Sequence, residues 1–177
     1  NSFVTPAQLG QYTAGQSILQ PFSLISSLIF GILFPKYSGL FKNGKETEIT
    51  SIAKSVEKYL AIILMPVFTF IVLNSAEISK LLLGNKFSDS SFILSVYSLF
   101  LLFSIVSQPY SSQVFGAGKS ATVVKVSVLS FALYVIASFI LVPKSVLDFP
   151  FLDLGIKGAI IAMLLSGLLS VSLLRYY

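Results

Sequence analysis

The chain contains no cysteine, no histidine and no tryptophan among its 177 residues. The absence of cysteine excludes disulfide bonds and thiolate metal sites, and the absence of histidine removes the commonest metal ligand and general base. Enzyme chemistry would have to come from the seven Asp and Glu residues, which the sequence pattern places in loops or at helix ends. We therefore expect a protein that is not an enzyme and that holds no metal or other cofactor.

Charge is scarce as well. Charged residues make up 11% of the chain and hydrophobic residues 55%, and the mean hydropathy is +0.88. Five long intervals contain no charged residue at all: 1–35, 59–76, 90–118, 126–143 and 158–174. Each is close in length to the roughly 20 apolar residues that a helix needs to cross a bilayer core. A globular domain would spread charge over its surface, so the sequence predicts an integral membrane protein.

The predicted fold is an all-α membrane protein in a single domain, a bundle of five transmembrane helices plus one interfacial amphipathic helix. The predicted spans cover residues 8–34, 59–75, 91–115, 121–142 and 155–174. The interfacial helix is predicted over 45–58, where Ile49, Ile52, Ala53 and Val56 recur at helical spacing among Lys and Glu residues.

Three prolines, Pro21, Pro66 and Pro109, lie inside predicted spans. Proline removes a backbone hydrogen bond, and membrane helices tolerate the resulting kink where neighbouring helices or water satisfy the freed carbonyl. We expect kinks at these three positions, which argues against a passive membrane anchor. Pro35 is expected to end or bend the first helix.

The distribution of lysine and arginine predicts an orientation, because cytoplasmic loops of membrane proteins collect these residues. Eight of the twelve lie around the first and third connections and at the C-terminal end: Lys36, Lys42, Lys45, Lys54, Lys58, Lys119, Lys125 and Arg175. The other four, Lys80, Lys86, Lys144 and Lys157, lie on the opposite side. We therefore place the 36–58 connection and the C-terminus in the cytoplasm. Topology then explains the net charge of +5, and no nucleic-acid partner is expected.

Six short motifs follow one another in an order that is typical of one transporter family. They are Leu9-Gly10-Gln11-Tyr12, Phe34-Pro35, Met65-Pro66, Leu83-Gly84 with Phe87, Gly116-Ala117-Gly118-Lys119, and Leu154-Gly155-Ile156-Lys157-Gly158-Ala159. In this order they resemble the C-terminal lobe of polysaccharide-type flippases, the lipid-linked oligosaccharide exporters of the multidrug/oligosaccharidyl-lipid/polysaccharide exporter superfamily. The last motif is the most specific, and together the motifs cover nearly the whole chain.

The resemblance implies a transporter with two lobes of six helices around a central cavity that opens alternately to each side of the membrane. The five predicted spans would be the second to sixth helices of the second lobe. The chain would then be a fragment whose partner is the missing N-terminal lobe of the same protein. The implied cargo is a polyprenyl-diphosphate-linked glycan, and the other partner is membrane lipid. The abundance of Ile, Lys and Ser favours a prokaryotic source, and hence a multi-pass protein of the plasma membrane.

Uncharged polar residues inside the spans are candidates to line such a cavity, because a polar cargo head must be hidden from hydrocarbon. On the first span, Gln16, Gln20, Ser23 and Ser27 share one helical face. Serine and glutamine in membrane helices also bond to neighbouring helices, so helix packing is the alternative role for each of them.

Two further candidates lie on the third span and one on the fourth. Tyr97 and Gln108 are eleven residues apart, close to three helical turns, which predicts a similar face. Lys125 lies about 9 Å into its helix and is a candidate cation for the cargo diphosphate. Its alternative role is to reach the cytoplasmic surface and fix the topology.

The sequence leaves three function classes open. The first is a flippase for lipid-linked oligosaccharide or polysaccharide precursors that works by alternating access. The second is a multidrug antiporter of the same superfamily, which would be expected to carry an acidic coupling residue within a span. The third is a membrane subunit that does not transport.

Overall fold

The computed structural model describes residues 5–87, 90–142, 145–146, 149–150 and 154–176. Within them the chain is helical apart from one short strand pair. The helices are α1 (Pro6–Lys42), α2 (Glu46–Leu73), α3 (Ser75–Leu83), a 3-10 turn (Asn85–Phe87), α4 (Ser90–Val106), α5 (Gln108–Gly116), α6 (Ser120–Leu141) and α7 (Gly155–Tyr176). The two-residue strands β1 (Ser145–Val146) and β2 (Phe149–Pro150) pair antiparallel between α6 and α7.

Among the described residues, α1, α2, α6 and α7 are each long and apolar enough to cross a membrane. α4 and α5 meet the same criterion as a pair that is bent by 40° at the break between them. Counting this pair as one span gives five spans, which confirms the predicted all-α membrane fold. The bundle exposes many large apolar side chains, as contact with lipid requires: Leu24, Ile63, Phe70, Phe131 and Phe139 are examples.

The predicted interfacial helix and the predicted second span form one continuous helix. α2 runs for 28 residues without a break near residue 58. Its residues Ile49 and Ala53 are fully buried in a cluster with Tyr37 of α1 and Tyr110 of α5. The apolar face that predicted an interfacial position is therefore covered by protein rather than by lipid. We correct the two predicted elements to a single helix that enters the bundle directly.

α1 extends beyond its predicted end. The sequence predicts a span of 8–34 that Pro35 ends or bends, whereas the helix continues through this proline to Lys42. Tyr37, two residues after the proline, is fully buried against α2 and α5. We attribute the continuation to this burial, which offsets the backbone hydrogen bond that a proline removes.

The predicted third span, 91–115, is broken at Ser107, which separates α4 from α5. Pro109 follows two residues later and is fully buried. Because proline lacks an N–H and restricts the residue before it, a helix break at this place is expected. A bend of 40° accompanies Pro109. α1 and α2 are continuous through Pro21 and Pro66, so the kinks expected there stay predictions.

α4 lies between α1, α2 and α7 and contacts all three. Its residues Leu94, Leu101 and Ile105 belong to a buried apolar cluster with Leu19 of α1 and Phe68 of α2. The main core of the bundle therefore surrounds α4, and α6 packs on the outside of it against α7.

Glycines allow some of these helices to approach closely, as is common in membrane bundles. A Cβ at Gly158 of α7 would lie 2.6 Å from the carbonyl oxygen of Leu141 in α6. A Cβ at Gly116 of α5 would lie 2.8 Å from the Cβ of Tyr37 in α1. Both distances are too short for a real contact, so glycine fixes the spacing of these helix pairs.

Two residues beyond the end of α1 and of α5, the chain has a glycine in the left-handed region. Gly44 has a φ of 67° and Gly118 a φ of 72°. After α5, the N–H of Lys119 donates to the carbonyl of Val114 at 3.1 Å, which satisfies one of the last carbonyls of the helix. The glycines thus let the chain reverse at once and start the next helix.

Candidate functional site

One face of α1 carries polar side chains that no other helix covers. Thr13, Ser17, Gln20 and Ser27 are all exposed, and their separations of four, three and seven residues place them on one side of the helix. We call these four residues the α1 polar face. Leu24, which is 64% exposed, lies among them. The α1 polar face is therefore a stripe of hydroxyl and amide groups on an otherwise apolar membrane helix.

The α1 polar face contains two of the four residues that the sequence predicts on the first span. Gln20 and Ser27 have side chains without a hydrogen-bond partner in the part of the chain that the structure describes. Gln16 lies at the edge of the face, where its Nε2 donates to the hydroxyl of Tyr12 at 2.7 Å. Ser23 donates to the backbone carbonyl of Gln20 at 2.6 Å. Gln16 and Ser23 are thus already engaged within α1.

Tyr97 and Gln108 do not lie on one continuous helix. Tyr97 belongs to α4, where its ring stacks on that of Phe100 with the centroids 5.8 Å apart. Gln108 is the first residue of α5, beyond the break. The predicted shared face assumes an unbroken helix, whereas the two residues lie on two helices bent by 40°, so the shared face stays a prediction.

Lys125 lies in the second turn of α6 with its side chain exposed. No ion pair to it is formed by any described residue. Both roles considered for this lysine, contact with a diphosphate and extension to the membrane surface, need an exposed and unpaired ammonium group. Both roles of Lys125 therefore stay predictions.

A cleft lined by tyrosines lies between α1, α6 and α7. One cavity of about 450 Å³ is lined by Tyr12, Tyr134 and Ile156, among others. A second cavity of about 320 Å³ is lined by Tyr134, Phe100 and Met163. The hydroxyl of Tyr12 lies 3.9 Å from the sulfur of Met163. Tyrosine combines an apolar ring with a polar hydroxyl, so the cleft suits an amphipathic ligand.

At the other end of α1, three helices meet at a charged cluster. Glu57 of α2 accepts a hydrogen bond from the hydroxyl of Tyr110 in α5 at 2.6 Å and one from Arg175 in α7, also at 2.6 Å. The guanidinium carbon of Arg175 lies 5.2 Å from the centre of the Tyr110 ring, which is within the range of a cation–π contact. We call these three residues the Glu57 cluster. Both carboxylate oxygens are thereby occupied.

The Glu57 cluster corrects one expectation from the sequence. Glu57 is the twelfth residue of the 28-residue α2, not a loop or helix-end carboxylate. Reasoning from the sequence missed the cluster, because Glu57 and Arg175 are 118 residues apart. The single local signal is that Glu57 lies two residues before the charge-free interval 59–76, next to Lys58. Among the residues that the structure describes, no three acidic side chains come together as metal ligands do.

The same contacts show which chain segments share one end of the bundle. Gly116, at the end of α5, packs against Tyr37 near the end of α1. Arg175, near the end of α7, pairs with Glu57. The first connection, the turn after α5 and the end of α7 therefore lie at a common end, which we call the Glu57 end.

Fold and surface together define a multi-span helical membrane protein with a polar stripe on α1. The family model of polysaccharide biosynthesis proteins matches residues 2–92, a segment that includes α1, α2 and α3. The chain belongs to this family. No curated protein and no solved structure matches it. The family match agrees with the resemblance to polysaccharide-type flippases that the sequence motifs indicate.

Proposed function

We propose that the chain is part of a flippase that moves lipid-linked oligosaccharide or polysaccharide precursors across a membrane by alternating access. Family membership indicates a role in polysaccharide synthesis or export, and the apolar helices indicate a multi-pass membrane protein. The observation that carries the finer proposal is the α1 polar face, because it offers uncharged hydrogen-bonding groups on an uncovered surface at membrane depth.

A comparison of α1 with α2 supports this argument. The exposed side of α2 carries large apolar residues, among them Ile62, Met65, Phe70 and Leu73, as expected of a helix that faces lipid. The exposed side of α1 carries an amide and three hydroxyl groups among apolar residues such as Leu24 and Leu28. The hydroxyls of Thr13 and Ser17 donate to backbone carbonyls of α1, whereas the side chains of Gln20 and Ser27 have no partner among the described residues. Polar groups facing hydrocarbon without a partner are unfavourable. A surface of this kind suits a hydrated cavity that holds a sugar-rich head.

The resemblance to polysaccharide-type flippases supports the position of a second lobe and the path of the cargo. A second lobe of the same protein would face the α1 polar face and close the cavity. The excess of lysine at the Glu57 end supports a cytoplasmic position for that end. Cargo carrying a polyprenol diphosphate would then reach Lys125, near the start of α6, from the cytoplasmic side.

Multidrug antiport is the alternative within the same superfamily. It would need a carboxylate within a span that exchanges a coupling cation. Glu57 lies deepest in α2 among its carboxylates, and both of its oxygens accept hydrogen bonds, from Tyr110 and from Arg175. A carboxylate engaged in this way is poorly suited to cation exchange, so we favour the flippase.

The test uses the full-length protein that contains this chain, reconstituted in vesicles with a polyprenyl-diphosphate-linked oligosaccharide. Appearance of the glycan on the outer face is followed by its accessibility to a lectin. The double variant Gln20→Leu and Ser27→Leu should insert normally, because leucine favours insertion, but should lower the flipping rate at least tenfold.

The matched control is Thr69→Leu, which replaces an exposed polar residue on the apolar side of α2 and should leave the rate unchanged. An unchanged rate in the double variant would remove the α1 polar face as a cargo surface. A wild-type protein that flips no glycan would overturn the flippase and favour a subunit that does not transport.

A further inference from the structure

The largest polar cavity among those described lies beside the Glu57 cluster. It has a volume of about 560 Å³ and is lined by Thr50, Lys54, Glu57, Tyr110, Gln113, Leu174 and Arg175. Two cationic side chains and one carboxylate therefore share this cavity. Because the carboxylate already binds Arg175, the net charge left in the cavity is positive, which favours an anionic ligand.

Arg175 is held in a fixed position by its contacts. Its Nη2 donates to Glu57 and its guanidinium lies against the ring of Tyr110. A guanidinium has five N–H donors in a planar fork, so most of them are available to a second acceptor. A planar, oriented guanidinium matches the geometry of a phosphate group.

Lys54 supplies a second cation on the same cavity. It lies one helical turn before Glu57, is exposed, and has no ion pair with any described residue. Its ammonium group is a mobile point charge with three donors. The amide of Gln113 adds a neutral donor to the lining, whereas the hydroxyl of Thr50 donates to the backbone carbonyl of Glu46 at 3.3 Å.

The position of the cavity matches the depth of lipid phosphates. Lys54 lies five residues before the charge-free interval 59–76, and Arg175 directly follows the charge-free interval 158–174. By the usual helical rise, Lys54 is about 8 Å outside the start of the apolar segment. Both cations thus lie at the border of the hydrocarbon core, where headgroups begin.

An apolar path for a lipid tail continues from the cavity. Met65 is eleven residues after Lys54, so it lies on the same side of α2 about three turns deeper, and it is 55% exposed. Leu174 adds an apolar wall to the cavity itself. A free phosphate compound would make no use of this path.

We infer that this cavity binds the phosphate group of an anionic membrane lipid between Lys54 and Arg175. The site lies between the N-terminal half of α2, α5 and the last turn of α7, away from the α1 polar face, and does not depend on the proposed function. An occupant there would bridge the three helices that the Glu57 cluster joins.

The test uses the full-length protein reconstituted in vesicles of equal parts phosphatidylcholine and phosphatidylglycerol, followed by native mass spectrometry of the retained lipid. Wild-type protein should retain phosphatidylglycerol in preference to phosphatidylcholine. Lys54→Gln should lower the retained phosphatidylglycerol at least fivefold. The control Lys42→Gln, an exposed cation at the same end of the bundle but outside the cavity, should leave retention unchanged. Equal retention by the Lys54 variant and wild type would overturn the inference.

A second variant should change phosphatidylglycerol retention in the opposite direction. Glu57→Gln removes a negative charge from the cavity while its amide oxygen can still accept from Arg175, so it should raise phosphatidylglycerol retention severalfold. A fall in retention instead would overturn the assignment of Arg175 to the site. Displacement of the bound lipid by low concentrations of inorganic phosphate would assign the cavity to a soluble phosphate compound and overturn the lipid assignment.

Discussion

Arg175, near the end of α7, donates a hydrogen bond of 2.6 Å to Glu57 of α2, across 118 residues of sequence. Tyr110 of α5 donates to the other oxygen of the same carboxylate. Three helices from distant parts of the chain are thus joined by one side chain. This contact both stabilises the Glu57 end of the bundle and shapes the cavity that we assign to a lipid phosphate.

Removal of the Glu57 carboxylate should destabilise the protein. Glu57→Ala leaves Tyr110 and Arg175 without their shared acceptor, which we expect to lower the free energy of unfolding by about 1–3 kcal/mol. Glu57→Gln keeps one acceptor oxygen and should lower it by less. Thermal unfolding followed by circular dichroism in detergent measures both effects. The control Glu77→Ala, an exposed position in the first turn of α3, should change little; an equal effect at both sites would contradict the role of the Glu57 cluster.

Close packing of α6 on α7 gives a second prediction. Gly158→Ala would place a Cβ 2.6 Å from the carbonyl oxygen of Leu141, so the helices must separate, at a cost of about 1–3 kcal/mol. Gly31→Ala in α1 meets nothing within 4 Å and should instead stabilise its helix by about 0.5–1 kcal/mol. Unfolding temperatures of the two variants should therefore move in opposite directions from wild type. A rise in the unfolding temperature of both variants would show that the α6–α7 contact is looser than described.

The sidedness of the connections can be tested directly, because the chain has no cysteine of its own. Asn43 and Lys119 lie in the turns after α1 and α5, at the Glu57 end, and Glu77 lies in the first turn of α3, after α2. Each of the three is replaced by cysteine in a separate variant. A thiol reagent that cannot cross membranes should label Asn43 and Lys119 from the cytoplasm and Glu77 from outside. Labelling of Glu77 from the same side as Asn43 would refute the five-span topology, and labelling of all three from reversed sides would refute the orientation.

The break between α4 and α5 gives a prediction about transport. Pro109→Ala restores an N–H donor to a buried position and should favour a straighter helix across Ser107. If the 40° bend is needed for the lobe to rock, flipping of glycan in vesicles should fall while insertion persists. Pro21→Ala, in a helix that is already continuous, is the matched control and should retain more activity. If both variants flip glycan at the wild-type rate, neither proline is required for transport.

Part of the candidate site could be predicted from the sequence. The four polar residues on the first span follow from helical spacing alone, and Gln20 and Ser27 do lie on an uncovered face. Tyr12 and Gln16 are four residues apart, so the spacing makes them neighbours, but it does not fix the rotamers with which the Nε2 of Gln16 donates to the Tyr12 hydroxyl. The shared face predicted for Tyr97 and Gln108 assumes one helix, and the spacing could not reveal the break at Ser107 and the 40° bend between the two residues.

The sequence by itself determined the number and approximate limits of the spans. Charge inside hydrocarbon is costly, so the charge-free intervals had to become the membrane segments, and glycines such as Gly44 and Gly118 had to end helices because they accept a positive φ. Tertiary structure alone decided what each helix face meets. Ile49 and Ala53 form an amphipathic pattern that suits lipid or protein equally, and only the packing of α1 and α5 against them decided that this face of α2 meets protein. The meeting of Glu57 with Arg175 likewise depends on how three helices are placed in space, which no local spacing in the sequence encodes.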